Sequence, residues 1–390
     1  MPGLVVSKLA PGLVNKLLSS FPKGLVIITG TAGKSTTTKM AVAIARAHGL
    51  TVFTNPSTAN IEQGFFSTLV KSGTLSGKYP ADIAILEMDE GHAAALVRDV
   101  APRFSVILNV FDDQLDRFID PAIVREKLAA VAKRTTEKVI LNADDQNCLL
   151  IAQEVEIEKD YFGIQSQVGT FAYSKTYLPE ISNPTARNTV TKLSGREAVL
   201  ETISGPVRIE LPSRGSHFAL DAVAAWTICE EILGSGFDSE LAKRSLDTMP
   251  PVFSRGEIKV IDGEEVEFIL IQNPISTQLN IDNLDTSPEQ LMFAIGRDVH
   301  DPSWLWTVDY SKLDHVNMVS GFNFADAALM LSYNNIPIEV IEPDYFKAIE
   351  DFLALPQPKL GRKTVLYSAD AMRRLRRYKG FTDPEDVQRV

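Results

Sequence analysis

The sequence predicts an α/β protein: a doubly wound parallel sheet with a small β-rich stretch, followed by a second, smaller α/β domain. Three observations predict it. Short continuous apolar runs alternate with segments of helical periodicity, the pattern of buried parallel strands joined by helices. The alternation breaks at Met249-Pro250-Pro251 and then restarts, which marks a domain boundary. The length of 390 residues suits two or three domains at roughly 150 residues each.

The elements follow in order. Residues 1–22 carry Leu4, Val5, Leu9, Leu13, Leu17 and Leu18, without a long apolar core or a clear cleavage site. They are expected to form an amphipathic helix packed on the next domain, with a peripheral membrane contact as the alternative. Residues 23–249 form the central domain. Gly24 to Thr29, Asp82 to Glu87, Phe104 to Val110 and Lys138 to Asn142 read as strands, and Lys34 to Ala47 and Pro121 to Lys133 as helices. From about 160 to 211 Thr, Ser, Val and Tyr dominate between turn residues, which reads as a small β subdomain. Phe218 to Leu233 and Glu240 to Leu246 close this domain as helices. In residues 250–390, strands are expected at Val266 to Gln272, Gln290 to Gly296, His315 to Ser320, Ile336 to Ile341 and Lys363 to Tyr367. Helices fit at Phe324 to Tyr333, Asp344 to Leu355 and Asp370 to Tyr378.

Composition excludes several classes. Lys+Arg 39 against Asp+Glu 50 gives a net charge of -11, which argues against nucleic acid as a partner. The basic run Arg373 to Lys379 is expected to be a solvated helix face. Two cysteines, Cys148 and Cys229, exclude a disulfide framework and a cysteine-only zinc ribbon. Both are expected to be buried small hydrophobes. No apolar run is long enough for a membrane span, so the expected compartment is the cytoplasm.

The strongest chemical signal is Gly30-Thr31-Ala32-Gly33-Lys34-Ser35-Thr36, between a strand and a helix. Backbone N–H groups of such a loop cradle phosphates, with the helix dipole behind them. Its Lys reaches the terminal phosphates and the adjacent hydroxyl can hold Mg²⁺. The longer form of this loop begins with a further Gly, but residue 28 is Ile. A second signal is Glu87 at a strand end, followed by Asp89 and Glu90. Carboxylates there face the ligand crevice of a parallel sheet, and Mg²⁺ takes such oxygens together with phosphate. Asn109 to Arg117 and Asn142-Ala143-Asp144-Asp145 also follow strands. Each could be a plain helix cap; four polar clusters at four strand ends point to one site.

In this order and spacing, GTAGKST, LEMDE, LNVFDDQLDR and LNADD resemble the Mur ligase superfamily of ATP-dependent carboxylate–amine ligases. Within it the chain is similar to the MurT-type subgroup. Gln272-Asn273-Pro274 stands where that subgroup carries K-N-P, and Asp301-Pro302-Ser303-Trp304-Leu305-Trp306 resembles its D-V-S-W-[IL]-W. Segments Phe324 to Leu329 and Ser368 to Arg373 add to the likeness. The resemblance implies a P-loop central domain and a Rossmann-like C-terminal domain. It implies that Gly30, Thr31, Gly33, Lys34, Ser35 and Thr36 hold ATP phosphates, with Ser35 and Glu87 as Mg²⁺ ligands. It places Asn142 and Asp145 near the adenosine, and Arg255, in Phe253 to Glu257, on ATP. It assigns catalysis to Lys34 and Glu87. Asp301, with Asp298 as second choice, would orient the catalytic His of a GatD-like glutaminase partner. Lys127 lies near the spacing at which several Mur ligases carry a carbamylated Lys, although a surface helix Lys is the better explanation.

The implied reaction is amidation of the D-glutamate α-carboxylate of lipid II, with ammonia from the partner. Departures from the subgroup pattern stand at Gln272, Ser276, Asp298 to Trp304 and Ser216-His217, and the usual four-Cys ribbon is absent, so no zinc is expected. The chain is also expected to start directly with the ATP domain, without a uridine-nucleotide domain, which fits a lipid-linked substrate at the membrane surface. The competing readings are a Mur-type ligase that adds an amino acid to a folate- or peptide-like acceptor, and a non-catalytic nucleotide-binding scaffold.

Overall fold

The computed structural model describes residues 11–55, 79–111, 121–169, 181–250, 255–284 and 286–381. The chain divides into two compact units, Met1–Pro212 with Ser216–Pro250, and Ser213–Gly215 with Pro251–Val390.

The first unit is built on a nine-stranded sheet of order β2-β3-β1-β4-β5-β6-β7-β8-β9. Its strands are β1 (Leu25–Thr29), β2 (Val52–Phe53), β3 (Ile83–Glu87), β4 (Phe104–Ile107), β5 (Lys138–Asn142), β6 (Glu158–Ile164), β7 (Asn188–Ser194), β8 (Glu197–Thr202) and β9 (Gly205–Glu210). Pairing is parallel from β2 through to β7 and antiparallel across β7, β8 and β9. The composition shift near 160 has a physical origin here. Strands β1, β3 and β4 are covered on both faces and every residue is buried, so they read as unbroken apolar runs. Strand β8 alternates buried and less buried positions, so polar residues enter every second site. These β-rich strands continue the edge of the same sheet.

Helices in this unit are α1 (Pro11–Leu18), α2 (Lys34–Ala47), α3 (Glu90–Leu96), α4 (Pro121–Arg134), α5 (Gln146–Gln153), α6 (Ser216–Leu233) and α7 (Ser239–Asp247). Of the helix expected over 1–22, Pro11–Leu18 is present, and residues 1–10 lie outside the described residues. Leu17, Leu18 and Phe21 are buried against Leu25, Phe53 and Leu86, so the end of α1 packs into the protein's own core. Farther along the same sheet face Ile107, Leu128, Leu141 and Ile151 form a second cluster with Cys148. Helix α2 packs on α6, whose Trp226 is fully buried with its ring edge-on to Phe237 at 5.2 Å.

The second unit has a six-stranded sheet of order β10-β11-β15-β12-β13-β14. Its strands are β10 (Arg255–Ile261), β11 (Glu264–Leu270), β12 (Leu291–Ala294), β13 (Val316–Ser320), β14 (Ile338–Ile341) and β15 (Lys363–Tyr367). All pairs are parallel except the β10–β11 hairpin. The helices are α8 (Pro274–Asp282), α9 (Phe324–Tyr333), α10 (Tyr345–Leu353) and α11 (Ala369–Tyr378), with a 3-10 turn at Pro302–Thr307.

Three helices, α3, α5 and α8, escape the periodicity argument and are explained by their caps; at α3 the Asp89 carboxylate accepts from the Gly91 N–H at 3.0 Å. Asp145 accepts a hydrogen bond from the Cys148 N–H at the start of α5. At α8, Asn273 Oδ1 accepts from the Ser276 N–H at 2.7 Å while Ser276 Oγ accepts from the Asn273 N–H at 3.2 Å, with Pro274 at the first helical position. This reciprocal cap gives the Ser276 departure a structural role.

The basic run at 373–379 is not uniformly solvated. Arg376 turns inward on α11 and its Nη1 lies 2.7 Å from Glu257 Oε2, both side chains being about nine-tenths buried. Breaking a buried ion pair strands its partner charge. Lys259 Nζ, 3.0 Å from Glu257 Oε1, limits the damage. Arg376→Ala is therefore expected to cost on the order of 3 kcal/mol, the lower end for buried pairs, measured as a fall in the urea midpoint at unchanged slope.

Candidate functional site

Strand order brings together the four strand ends from which the polar clusters follow. Strands β3, β1, β4 and β5 are consecutive and parallel, so the segments after Glu87, Thr29, Ile107 and Asn142 leave the sheet along one edge. That edge is where open parallel sheets bind ligands.

The phosphate loop joins β1 to α2. Gly30 has φ +128° and Gly33 φ +84°, backbone conformations that L side chains rarely adopt. A Cβ at Gly30 would lie 2.9 Å from the Asn109 carbonyl oxygen, and a side chain at Gly33 would run into the Asp221 carboxylate. Asn109 pins the loop from the strand-end side. Its carbonyl accepts from the Thr31 N–H at 3.1 Å, its Oδ1 accepts from the Ala32 N–H at 2.8 Å, and its Nδ2 donates to the Ala32 carbonyl at 3.1 Å. The Thr31 hydroxyl accepts from the Phe111 N–H. From the other side, Thr37 Oγ1 donates to Asp221 Oδ1 at 3.2 Å.

The side chains of Lys34, Ser35, Glu87 and Glu90 lie together at this loop. Lys34 Nζ donates to the carbonyls of Gly30 and Thr31 at 2.5 and 3.1 Å, and lies 3.9 Å from Glu90 Oε1. Ser35 Oγ donates to Glu87 Oε1 at 2.8 Å, both residues being buried. Asn55 fixes the Glu87 backbone: its Nδ2 donates to the Glu87 carbonyl at 2.8 Å and its Oδ1 accepts from the Glu87 N–H at 2.9 Å. Thr36 Oγ1 is buried without a hydrogen-bond partner among the described residues.

These features fit a nucleotide polyphosphate with Mg²⁺. The left-handed glycines open the loop, an unpaired buried hydroxyl stands at the first turn of α2, and two hard oxygen donors sit side by side at Ser35 and Glu87. Among the described residues, no group of three or more His, Cys, Asp and Glu side chains is placed to hold a metal by itself; Mg²⁺ commonly uses one or two protein oxygens and takes the rest from phosphate and water.

Other expected residues fall as follows. Asn142 is fully buried; its Nδ2 donates to the Leu108 carbonyl at 3.0 Å and its Oδ1 accepts from the Asp144 N–H at 2.9 Å. Asp145 accepts from the N–H groups of Val110 and Cys148, each at 2.9 Å. Both side chains thus tie the ends of β4 and β5 together. Residues 112–120, with Asp112, Asp113, Gln114, Asp116 and Arg117, lie outside the described residues. Arg255 opens β10, and its side chain also lies outside them. Lys127 is half-buried on α4 and lines an open cleft with Ala94, Val97, Arg98 and Arg134, a cleft that no phosphate-loop residue lines. Cys148 and Cys229 are both fully buried, and burial pushes both thiols well up.

In the second unit, Asp298 and Asp301 differ. Asp298 accepts from Ser368 Oγ at 2.6 Å and from the Ala369 N–H at 2.9 Å, so both its oxygens serve the start of α11. Asp301 is exposed and caps the 3-10 turn through the Ser303 N–H at 2.9 Å. Hydrogen bonding to Ser303, hydroxyl first and backbone second, holds its carboxyl below the ordinary range.

Sequence reasoning missed Asn55 and Asp221. Asn55 follows a two-residue strand, too short for periodicity to show. Asp221 lies in the Ala-rich helix α6, where a lone acid reads as surface; its 6% exposure appears only in three dimensions.

Burial raises the Asp145 carboxyl to about 6, against the opposing hydrogen bonds from Val110, Cys148 and Asn147. The folded state therefore holds this proton more tightly than the unfolded state. The resulting stability is full below about pH 4 and is lost as pH rises through about 6, on the order of 3 kcal/mol in all. Carboxyl NMR should find the Asp145 midpoint near pH 6, and Asp145→Asn should abolish this part of the pH slope in urea unfolding.

Comparison with known proteins adds the family. The profile of the Mur ligase middle domain matches residues 28–229, and that of the MurT ligase C-terminal domain matches residues 270–369. Subunit MurT of lipid II isoglutaminyl synthase (glutamine-hydrolyzing) from Streptococcus pneumoniae is 27% identical over 384 residues, covering 87% of this chain and 83% of that protein. The Staphylococcus aureus (strain COL) protein of the same name is 23% identical, covering 89% and 86%. Among solved structures, MurF ligase from Thermotoga maritima in complex with ADP superposes with a TM-score of 0.70 at 17% identity, covering 98% of this chain and 83% of that one. Mycobacterium tuberculosis folylpolyglutamate synthase gives 0.71 at 15% identity, covering 98% and 95%. These two show the fold. With a phosphate loop at the central strand ends and half the chain within the middle-domain profile, the chain belongs to the Mur ligase family, and its C-terminal part to the MurT ligase C-terminal family.

Proposed function

We propose that this chain is the ligase subunit of a lipid II amidating enzyme, an ATP-dependent carboxylate–amine ligase that converts the D-glutamate α-carboxylate to the amide. The observation that carries the reading is the Ser35–Glu87 oxygen pair beside the phosphate loop, in a chain that also matches the MurT ligase C-terminal family.

A carboxylate is a poor electrophile. Transfer of the ATP γ-phosphoryl group to it yields an acyl phosphate and ADP; ammonia then attacks the acyl carbon and releases phosphate. Gly30, Thr31, Gly33 and Thr36 cradle the phosphates through the loop and the first turn of α2. Lys34 neutralises the terminal phosphate in flight. Ser35 and Glu87 would hold Mg²⁺, which supplies positive charge against the phosphate oxygens. Asn142 and Asp145 shape the adenosine side through the strand ends they tie together.

Ammonia is proposed to come from a separate glutaminase of GatD type. Both cysteines are buried with raised thiols, which unsuits them as glutamine-splitting nucleophiles. Asp301 is the better candidate for aligning a partner's catalytic base, because Asp298 spends both oxygens internally. The 3-10 turn that Asp301 caps also carries Trp306, 42% exposed and edge-on to Tyr333 at 5.4 Å. Exposed aromatic pairs of this kind suit a protein interface. No helix among the described residues is long and apolar enough to cross a membrane, so the lipid-linked substrate would be met at the membrane surface.

The first test is mass spectrometry of lipid II incubated with the protein, ATP, Mg²⁺ and a high ammonium concentration. The expected result is a product one mass unit lighter, the change from carboxylic acid to amide, which Lys34→Ala abolishes. Addition of an amino-acid mass to another acceptor would favour the amino-acid ligase reading, and ATP binding without any product the scaffold reading. A second expectation concerns nitrogen source. With the glutaminase present, Asp301→Asn should impair glutamine-driven amidation at least about tenfold and spare ammonium-driven amidation. Equal loss with both sources would place Asp301 in the ligase step or in folding.

A further inference from the structure

Glu90 begins α3, just past the strand end that carries Glu87. It is 4% exposed. Among the described residues no N–H or O–H donor reaches its carboxylate. The charged group placed beside it is Lys34, whose Nζ lies 3.9 Å from Oε1. At that distance the two form an ion pair without a hydrogen bond. A buried carboxylate is costly unless a cation compensates it, so Glu90 depends on Lys34. The lysine does not depend on Glu90 alone, because it also donates to the carbonyls of Gly30 and Thr31. Nothing in phosphate binding calls for this carboxylate. Ser35 and Glu87 already offer an oxygen pair to Mg²⁺, and a further negative charge beside the loop opposes an incoming polyphosphate.

We propose that Glu90 competes with the terminal phosphates of the nucleotide for Lys34, and so sets how tightly this site holds ATP and ADP. The proposal rests on the phosphate-loop reading above. Terminal phosphates draw the lysine away from Glu90, and their departure returns it. The ammonium is never left without an anionic or carbonyl partner, and the hold on ADP, which must leave before the next turnover, is weakened. Glu90 is a positioning residue: it acts on the nucleotide through Lys34.

The test is calorimetric titration of the full chain with ATP, ADP and AMP, each with and without Mg²⁺, in wild type and Glu90→Gln. The variant keeps the side-chain shape and removes the charge. Its Kd for ATP and ADP is expected to fall about tenfold, with or without Mg²⁺, while AMP, which lacks the terminal phosphates, binds as in wild type. In a Lys34→Met background the same substitution should leave ATP affinity unchanged. Unchanged ATP affinity in Glu90→Gln, or an equal shift for AMP, would overturn the proposal. Weaker ATP binding seen only with Mg²⁺ would overturn it too, and make Glu90 a metal ligand. A wild-type chain that binds no nucleotide would overturn the phosphate-loop reading and this inference together. Should Glu90→Gln fail to fold by thermal unfolding, Glu90→Asp, which withdraws the charge by one methylene, must bind ATP more tightly than wild type for the proposal to stand.

Discussion

A phosphate loop must satisfy opposing demands. Its N–H groups have to face an anion, so they cannot be consumed by secondary structure, yet the loop must keep one shape. In this protein Asn109 takes two of the loop's N–H groups, those of Thr31 and Ala32, to fix its shape, and those at the start of α2 are left to the anion. One residue beyond β4 grips the loop at Thr31 and Ala32 through both its backbone and its side chain. Much else follows from that grip. Gly30 must be glycine because the Asn109 backbone fills the space where a Cβ would sit. Strand β4 must neighbour β1 for the grip to form. Asp221 on α6 closes the loop from the opposite side and makes Gly33 obligatory in turn.

The same economy governs the next strand ends. Asn55 holds the backbone of Glu87 by a two-way hydrogen bond, while the Glu87 carboxylate accepts from Ser35. Asn142 and Asp145 spend their side chains on neighbouring backbone groups. Polar residues at the crevice edge thus fall into two kinds: those that fix the strand ends, and those, such as Lys34, Ser35, Glu87 and Glu90, that present charge or hydroxyl to the crevice. Both kinds look alike in a sequence, since Asn and Asp after an apolar run fit either part.

How much was legible follows from this distinction. The GTAGKST loop was legible because glycine spacing, lysine and hydroxyl are each demanded by the anion chemistry itself. The central strands were legible because burial on both faces leaves no polar position in them. Helices α3, α5 and α8 were not, because each depends on a cap rather than on a long apolar stripe. The inward turn of Arg376 was hidden by its basic neighbours, since a run of charge gives no sign of which member meets Glu257.

The sequence by itself determined the fold class, the phosphate loop, the strand-end carboxylate at Glu87 and the likeness to the Mur ligase family. These are local properties, written in periodicity and in short spacings that one strand, one turn or one helix imposes. Only the tertiary structure decided which polar residues share a site. Thr37 and Asp221 stand 184 positions apart and Ser35 and Glu87 stand 52 apart, and their contacts exist because strand order and helix packing close those gaps. The charge balance at Lys34 was decided at the same level. Whether an acid near a phosphate loop is a solvated turn residue or a buried counter-ion depends on the water excluded by the folded chain, and no spacing in the sequence records that.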